Sequence, residues 1–198
     1  VAHQVVSYCN RTGDTLDSLA FNVTPAHYSS FSLASAKVGD QQVIAKLEGV
    51  TLELPLPQPL EPGAAMTATL DFRLDVPKRG GRLAVYREGL LAQDGRQRGW
   101  DRRPHVETGD AFFTEAADYD VALETSSPVT VVHTGTLLQR DGNRWVMRAR
   151  GVRDFALVVS AGYESRTAVV DGIAVQAYVL LTHTHIADTY LDAAQQAL

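Results

Sequence analysis

The sequence has one cysteine, two methionines and two tryptophans in 198 residues. One cysteine cannot form an internal disulfide, so cysteine usage leaves the redox compartment undetermined. No stretch approaches the roughly 18 consecutive apolar residues that a membrane-spanning helix needs, and the first residues show no basic flank followed by an apolar run. These residues therefore predict neither a membrane span nor a signal peptide.

An excess of basic residues is also missing. Lys and Arg number 18 against 23 Asp and Glu, which gives a net charge of -5. A nucleic-acid backbone would meet a repelling overall field, so nucleic acid is not an expected partner. Hydrophobic residues make up 45% of the chain, which supplies a real core and excludes disordered, collagen-like and coiled-coil classes.

What the chain does contain is alternation of apolar and polar residues at period two, which is typical of half-buried strands. The last residues, 188–198, lack Gly and Pro and predict a helix. Asp-Gly pairs at 141–142 and 171–172 predict tight hairpin turns. The predicted strands lie at 5–9, 16–23, 43–48, 51–54, 66–76, 119–124, 129–133, 144–150, 155–160, 168–170 and 173–181.

This pattern predicts an all-β fold: an antiparallel β-sandwich or saddle-like sheet of about ten or more strands with a short C-terminal helix. Residues 1–187 are expected to form one domain. A Gly-rich, basic stretch at 77–110 predicts loops, and Pro55, Pro57 and Pro59 predict that the preceding strand ends in an edge or a linker. The chain starts at Val1 without methionine and stops inside the predicted helix, so we interpret it as a piece of a longer polypeptide.

Three patterns have residue types found in catalytic, metal-binding or phosphate-binding sites. His183 and His185 would share one strand face and could hold a metal, but no third ligand is identifiable, so we interpret them as strand-end residues before the helix. Ser160 lacks the surrounding motif and following helix of a nucleophile elbow. Glycines at 80–81 and 95 carry no phosphate-loop pattern.

Acidic, basic and aromatic clusters each allow a functional and a structural interpretation. Asp118, Asp120 and Glu124 alternate along one strand, which favours a solvated sheet face over a glycosidase pair. We interpret Trp100, with Phe112 and Phe113, as aromatic residues that anchor a loop to the core and not as a platform for stacking a sugar. Cys9 is interpreted as a small strand residue. We interpret a local run of arginines as a solvated loop and not as a face toward an acidic neighbouring domain or ligand. The run comprises Arg79, Arg82, Arg87, Arg96, Arg98, Arg102 and Arg103.

Several segments together resemble the N-terminal domain of the aminopeptidase N-like (gluzincin) zinc metallopeptidases, bacterial branch. Residues 99–121 contain Gly-Trp-Asp, Gly-Asp-x-Phe-Phe and Ala-Asp-Tyr-Asp-Val, and a Thr-Gly turn follows at 134–135. Residues 8–19 are similar to the family's Y-x-N-x-T-x-x-x-L-x-x-L strand pair. Residues 152–160 resemble its R-D-F segment, and 168–181 with the terminal helix resemble the bridge to the next domain.

The resemblance implies a β-sandwich that packs against a thermolysin-like catalytic domain and walls its peptide-binding cleft. The family's zinc motif H-E-x-x-H and its Gly-x-Met-Glu-Asn loop are absent from these 198 residues. No catalytic, cofactor-binding or metal-binding residue is therefore carried over, and this chain is expected to be inactive by itself. Zinc and peptide substrates belong to the expected catalytic domain, toward which 188–198 would start a linker helix.

One position of the family pattern has no counterpart here. In that family, the N-terminal domain can lend a loop residue to the free amine of the substrate. The segment that would carry it is missing or shortened within 83–99, so no residue is assigned to this role. The competing interpretation is a stand-alone carbohydrate-binding or adhesive β-sandwich that uses the Trp100 loop; a small β-rich hydrolase would require a cleft that the spacing does not assemble.

Overall fold

The computed structural model describes residues 1–75, 78–79, 82–83, 88–90, 100, 102, 104–106 and 116–197, with backbone alone at 78–79, 82–83 and 88–90. By their internal contacts the residues group into two compact units. Unit 1 comprises Val1–Tyr119 and Ala149–Ala156, and unit 2 comprises Asp120–Arg148 and Leu157–Leu198. That residues 1–187 act as one domain stays a prediction.

The described elements are strands, two 3-10 helices and one α-helix near the end. In chain order they are β1 (Ala2–Cys9), β2 (Leu16–Val23), a 3-10 helix (Thr24–Tyr28), β3 (Phe31–Val38), β4 (Gln41–Gln42), β5 (Lys46–Glu48), β6 (Thr51–Leu60), β7 (Ala65–Leu74), β8 (Lys78–Arg79), β9 (Arg82–Leu83), β10 (Glu88–Leu90), β11 (Ala117–Glu124), β12 (Thr130–His133), β13 (Thr136–Asp141), β14 (Arg144–Val152), β15 (Leu157–Ser160), β16 (Tyr163–Val170), β17 (Ile173–Leu180), a 3-10 helix (Leu181–Ile186) and α1 (Ala187–Ala197).

Two four-stranded sheets form the body of unit 1, in the orders β1-β7-β3-β4 and β10-β2-β6-β5. Neighbouring strands in both sheets pair antiparallel. Strand alternation places apolar residues of both sheets in one shared cluster, because successive side chains point to opposite faces. The predicted all-β antiparallel class with a short C-terminal helix is confirmed. The buried members of the cluster are Leu19, Phe21, Val23, Ala36, Leu52, Leu54, Ala68, Leu70 and Phe72.

The turn between β1 and β2 is built around Asn10, which is fully buried. Its side-chain amide donates to the carbonyl oxygens of Asp14 at 2.9 Å and Leu60 at 2.8 Å. Its side-chain oxygen accepts from the backbone N–H of Thr12 at 3.0 Å and from the Thr12 hydroxyl at 2.6 Å. Asn10 and Thr12 therefore satisfy the polar groups of this turn with hydrogen bonds, which is a structural role.

Pro55, Pro57 and Pro59 lie inside β6, so the prediction that this strand ends at Pro55 was wrong. β6 pairs along one side with β2, and on the other side β5 pairs with residues 51–53. Among the described residues, the proline stretch therefore lies on a sheet edge. A proline is tolerated there because its missing N–H has no ladder partner to lose.

Other boundaries also differ from prediction. The strand expected at 43–48 is replaced by β4 and β5, which leave 43–45 outside any strand. β3 was not predicted, because a register shift between Leu33 and Ser35 interrupts its alternation. Within 77–110, expected to be loops, β8, β9 and β10 are short strands, and β10 pairs with β2.

Unit 2 consists mainly of two-stranded ladders, β12 with β15 and β16 with β17. β13 and β14 form the hairpin predicted at the Asp141-Gly142 turn, in a three-stranded sheet of order β11-β14-β13. α1 contacts β16 and β17 and buries Ala187 and Leu191. In the described part of the chain, no helix is long and apolar enough to cross a membrane.

Candidate functional site

The paired histidines do not lie on a strand. β17 ends at Leu180, and His183 and His185 fall in the 3-10 helix that joins it to α1, so the predicted strand face was wrong while the junction position is confirmed. The two rings are 6.3 Å apart, and His183 Nδ1 lies 2.8 Å from the Thr182 hydroxyl. Among the described residues, no group of three or more His, Cys, Asp or Glu is placed to hold a metal ion.

The carboxylates of β11 are exposed and paired with arginines of β14. Asp120 lies 2.6 Å from Arg148, and Asp118 lies 3.7 Å from Arg150 while accepting from the backbone N–H of Gly151 at 2.9 Å. Exposed cross-strand ion pairs of this kind are typical of a solvated sheet face. Glu124, the third carboxylate of the strand, is also exposed.

Next to these carboxylates, Tyr119 packs against Phe155, with 5.8 Å between the ring centres. Partial burial raises the pKa of Tyr119, and the negative charge of Asp154 raises it further. A tyrosine with a raised pKa stays neutral at physiological pH. Tyr119 therefore contributes packing to unit 1 and no anionic group.

Ser160 and Cys9 show the geometry of ordinary strand residues. Ser160 ends β15, and its hydroxyl oxygen accepts from the backbone N–H of Gly162 at 3.0 Å. Cys9 ends β1, is exposed, and its sulfur lies 3.8 Å from the carbonyl oxygen of Gly63. Neither contact supplies a base that would activate a nucleophile.

Trp100 is attached to the sandwich. Its indole N–H donates to the carbonyl oxygen of Ser18 at 3.0 Å, and its ring lies 6.0 Å from that of Tyr8 and packs against the core cluster. A ring held this way offers less area to a stacked sugar than a free platform would. Phe112 and Phe113, the other members of the predicted platform, lie outside the described residues, as do the glycines at 80–81 and 95.

Of the arginines singled out in the sequence, Arg102 is described with its side chain. Arg102 lies 2.8 Å from Glu53, which also accepts from the Ser18 hydroxyl at 2.7 Å. This contact ties the segment after Trp100 to strands β2 and β6. Arg79 and Arg82 are described as backbone only, and Arg87, Arg96, Arg98 and Arg103 lie outside the described residues.

A polar row across three strands was missed by the sequence analysis. Asp71 of β7 lies 2.7 Å from His3 Nδ1 of β1 and accepts from the Ser35 hydroxyl of β3 at 2.7 Å. These hydrogen bonds, that of His3 first, lower the pKa of Asp71. Strand registers bring the three together, and a sequence without known partners carries no such signal.

The row has the residue types of an acyl-transfer triad but not its order. In such a triad the serine donates to the histidine, which the carboxylate orients. Here the serine and the histidine both bond to Asp71, so the imidazole is not aligned to take the serine proton. The row stabilises the outer face of the sheet and does not form a nucleophile.

A second unpredicted cluster joins the first 3-10 helix to residue 105. The rings of His27 and His105 are 4.3 Å apart, and the Tyr28 hydroxyl lies 3.4 Å from His105 Nε2. His105 Nδ1 is buried and has no hydrogen-bond partner among the described residues. These ring contacts hold the segment at 104–106 against the first 3-10 helix.

The fold was compared with known proteins. No protein-family model matches the chain, and no curated protein matches it. Solved structures do match. A two-domain M1 zinc metallopeptidase variant bound to L-arginine is 14% identical with a TM-score of 0.50, and an M1 zinc metallopeptidase from Deinococcus radiodurans is 15% identical with a TM-score of 0.50. A variant of the Deinococcus radiodurans enzyme bound to a Tyr-Ser-Ala substrate gives 14% and 0.50.

Each of these matches covers 89% of this chain and 42% of the neighbour's chain. The chain thus has a fold similar to part of the M1 zinc metallopeptidases and spans less than half of their length. At this identity the likeness concerns the fold alone.

Proposed function

We propose that this chain is a non-catalytic domain of a zinc metallopeptidase of the aminopeptidase type, packed against a catalytic domain and walling one side of its peptide-binding cleft. One observation carries the proposal: the fold matches two-domain metallopeptidases over 89% of this chain and 42% of theirs. A match that uses nearly all of one chain and a minor part of the other fits a domain better than a whole enzyme.

Several described side chains that could carry chemistry have structural tasks, which supports this role. Asn10 satisfies a buried turn, Trp100 anchors to Ser18, and Asp71 binds both His3 and Ser35. A zinc site needs three protein ligands or more. The described residues bring no such group together, so the proposal places zinc and peptide hydrolysis in the second domain.

The reading frame that encodes the chain tests the proposal. We expect H-E-x-x-H on a predicted helix within about a hundred residues after Leu198, because a metallopeptidase domain carries its zinc ligands on such a helix. A stop codon in place of that domain contradicts the proposal. Measured aminopeptidase activity of the 198-residue chain alone would also contradict it.

The carbohydrate-binding alternative makes a different prediction about Trp100. If the chain is a glycan-binding module, Trp100→Ala abolishes binding on a glycan panel, while Trp145→Phe, at the other tryptophan, leaves it intact. The contacts of Trp100 with Ser18, Tyr8 and the core cluster weigh against this alternative. We expect no glycan binding that depends on Trp100.

A further inference from the structure

The β16–β17 hairpin turns through an Asp-Gly pair. Its last ladder pair is Val170 with Ile173, so Asp171 and Gly172 are the two central residues of the turn. Their φ angles of 48° and 82° are both positive, which identifies a type I′ turn, because a type II′ turn has a negative φ at its second central residue. Both residues are exposed, so the Asp171 carboxyl and the peptide bond that follows it are in contact with water.

An Asp-Gly pair can rearrange without an enzyme, because glycine has no Cβ to shield its backbone nitrogen. The Gly172 nitrogen attacks Cγ of the protonated Asp171 carboxyl; an N–Cγ bond forms, and the amide proton and the carboxyl hydroxyl leave as water. A second water then opens the resulting succinimide ring at one of its two carbonyl carbons. Opening at Cγ restores aspartate. Opening at the main-chain carbonyl carbon breaks its bond to nitrogen and leaves isoaspartate, whose carboxylate lies on Cα and whose chain runs through Cβ and Cγ.

The turn at Asp171 can hold this ring without opening the ladder. Ring closure brings Cβ and the Gly172 nitrogen to the same side of the Asp171 Cα–C bond, which in an L-residue sets ψ near about −120°, as at the first central residue of a type II′ turn. Type I′ and type II′ turns share a positive φ at that residue and differ by a rotation of the central peptide, and both fit a two-residue hairpin loop. Glycine accepts the change in φ that this rotation imposes on it. The pair of Val170 with Ile173 therefore stays formed while the ring closes.

The other Asp-Gly pair at a described hairpin does not have this freedom. Asp141 is the last residue of β13 and pairs with Arg144, so the central residues of its turn are Gly142, with a φ of 53°, and Asn143. A strand residue has a ψ of about +135°, so ring closure at Asp141 would turn its carbonyl group out of the ladder. Asp141 is exposed as Asp171 is, so the two sites differ in backbone conformation and not in access to water.

We propose that Asp171 is a modification site, at which the folded chain converts aspartate to isoaspartate through a succinimide formed with Gly172. Asp141 is the matched site that the fold protects. The reaction consumes no reagent, since the water that leaves is replaced by the water that opens the ring. The product keeps its negative charge and lengthens the two-residue turn by one backbone atom. The inference concerns this hairpin alone and stands whether or not the proposed function holds.

Peptide mapping of the aged protein tests the inference. The 198-residue chain is incubated at mildly acidic pH below its unfolding temperature, and isoaspartate at 171 and at 141 is followed by mass spectrometry with electron-transfer fragmentation. We expect isoaspartate to accumulate about five-fold faster or more at 171, because reaction at 141 costs at least one ladder hydrogen bond. In guanidinium chloride the fold no longer distinguishes the two pairs, so their rates should become similar. The third Asp-Gly pair, at 94–95, lies outside the described residues and is mapped separately.

A transplanted pair gives the matched control. Gly142→Asp with Asn143→Gly places Asp-Gly at the two central positions of the β13–β14 turn, where a type I′ loop favours that dipeptide. We expect isoaspartate to form at 142 at a rate comparable to that at 171, because the position in the turn decides the rate. Circular dichroism before and after incubation checks that both chains stay folded.

Three results would overturn the inference. Equal accumulation at 171 and 141 in the folded chain would show that the dipeptide alone sets the rate. Absence of isoaspartate at 171 in the folded chain, while the denatured chain forms it, would show that the turn protects Asp171. A folded variant whose transplanted pair at 142–143 stays unmodified would show that the type I′ position does not promote ring closure.

Discussion

Unit 1 and unit 2 bury their apolar residues in different ways. Unit 1 holds a continuous cluster between two four-stranded sheets, with side chains such as Leu19 and Leu54 fully inaccessible. Unit 2 uses ladders and hairpins, and its buried apolar side chains among the described residues are Trp145, Met147, Val179, Ala187 and Leu191.

The difference shows where the chain depends on its surroundings. A two-stranded ladder is marginal in water by itself and needs a third strand or a helix for independent stability. α1 packs on the β16–β17 hairpin, while Val169 and Ile173 beside its turn are largely exposed. We infer that unit 1 depends less on its surroundings for stability than unit 2 does.

The largest expected effect is in the sandwich core. Leu19→Ala should lower the free energy of unfolding by about 3 kcal/mol, because it removes buried methyl groups and leaves a cavity. Urea unfolding followed by Trp100 fluorescence in a Trp145→Phe background reports on unit 1, since the chain has two tryptophans. A loss as small as that of the exposed control Ile44→Ala would contradict the assignment of the core.

Asn10→Leu should lower the free energy of unfolding by about 2 kcal/mol, because it leaves the carbonyl oxygen of Leu60 without its buried amide donor and removes the hydrogen bond to the carbonyl oxygen of Asp14. The same urea assay measures the loss. Gln41→Leu, at an exposed position of the same sandwich, is the matched control. If both variants unfold alike, the Asn10 hydrogen bonds do not stabilise unit 1.

Substitutions of exposed residues beside the β16–β17 turn should have a much smaller effect on the isolated chain. Ile173→Ser is expected to change the free energy of unfolding by less than about 0.5 kcal/mol, because the side chain is largely in water. Circular dichroism during urea unfolding measures it. A loss comparable to that of Leu19→Ala would show that Ile173 is buried in the isolated chain, which would contradict the contrast between the units.

The smallest effect concerns the titration of Asp71. Its hydrogen bonds with His3 and Ser35 lower the pKa of Asp71 below the value of a free aspartate. The stabilisation is therefore present above that value and is lost as pH falls through the lowered pKa of the folded state. Carboxyl NMR titration should show a rise in the pKa of Asp71 in His3→Gln and in Ser35→Ala. An unchanged pKa in both variants would show that these hydrogen bonds do not stabilise the Asp71 carboxylate.

Local patterns predicted much of the fold. The alternation over residues 66–74 gives β7, and Asp-Gly pairs give the β13–β14 and β16–β17 hairpins. β3 escaped prediction because a one-residue register shift breaks its period. The strand that was expected to include Leu181 ends at Leu180, where a 3-10 helix begins.

Contacts between distant residues could not be predicted. His3, Ser35 and Asp71 meet because β7 pairs with β1 on one side and β3 on the other, and no local pattern specifies those neighbours. The anchoring of Trp100 on Ser18 is equally non-local, although its aromatic type beside Gly predicted a loop anchor. Strand pairing therefore decides which candidate residues meet, and in unit 1 it gives them structural tasks.

Zinc content tests the central claim most directly. Purified chain and the product of the whole reading frame are dialysed without chelator and analysed for bound zinc by mass spectrometry. We predict less than about 0.1 zinc per 198-residue chain and about one per longer product, because a catalytic zinc site needs three converging protein ligands. One tightly held zinc per short chain, lost in His183→Ala with His185→Ala, would contradict the account.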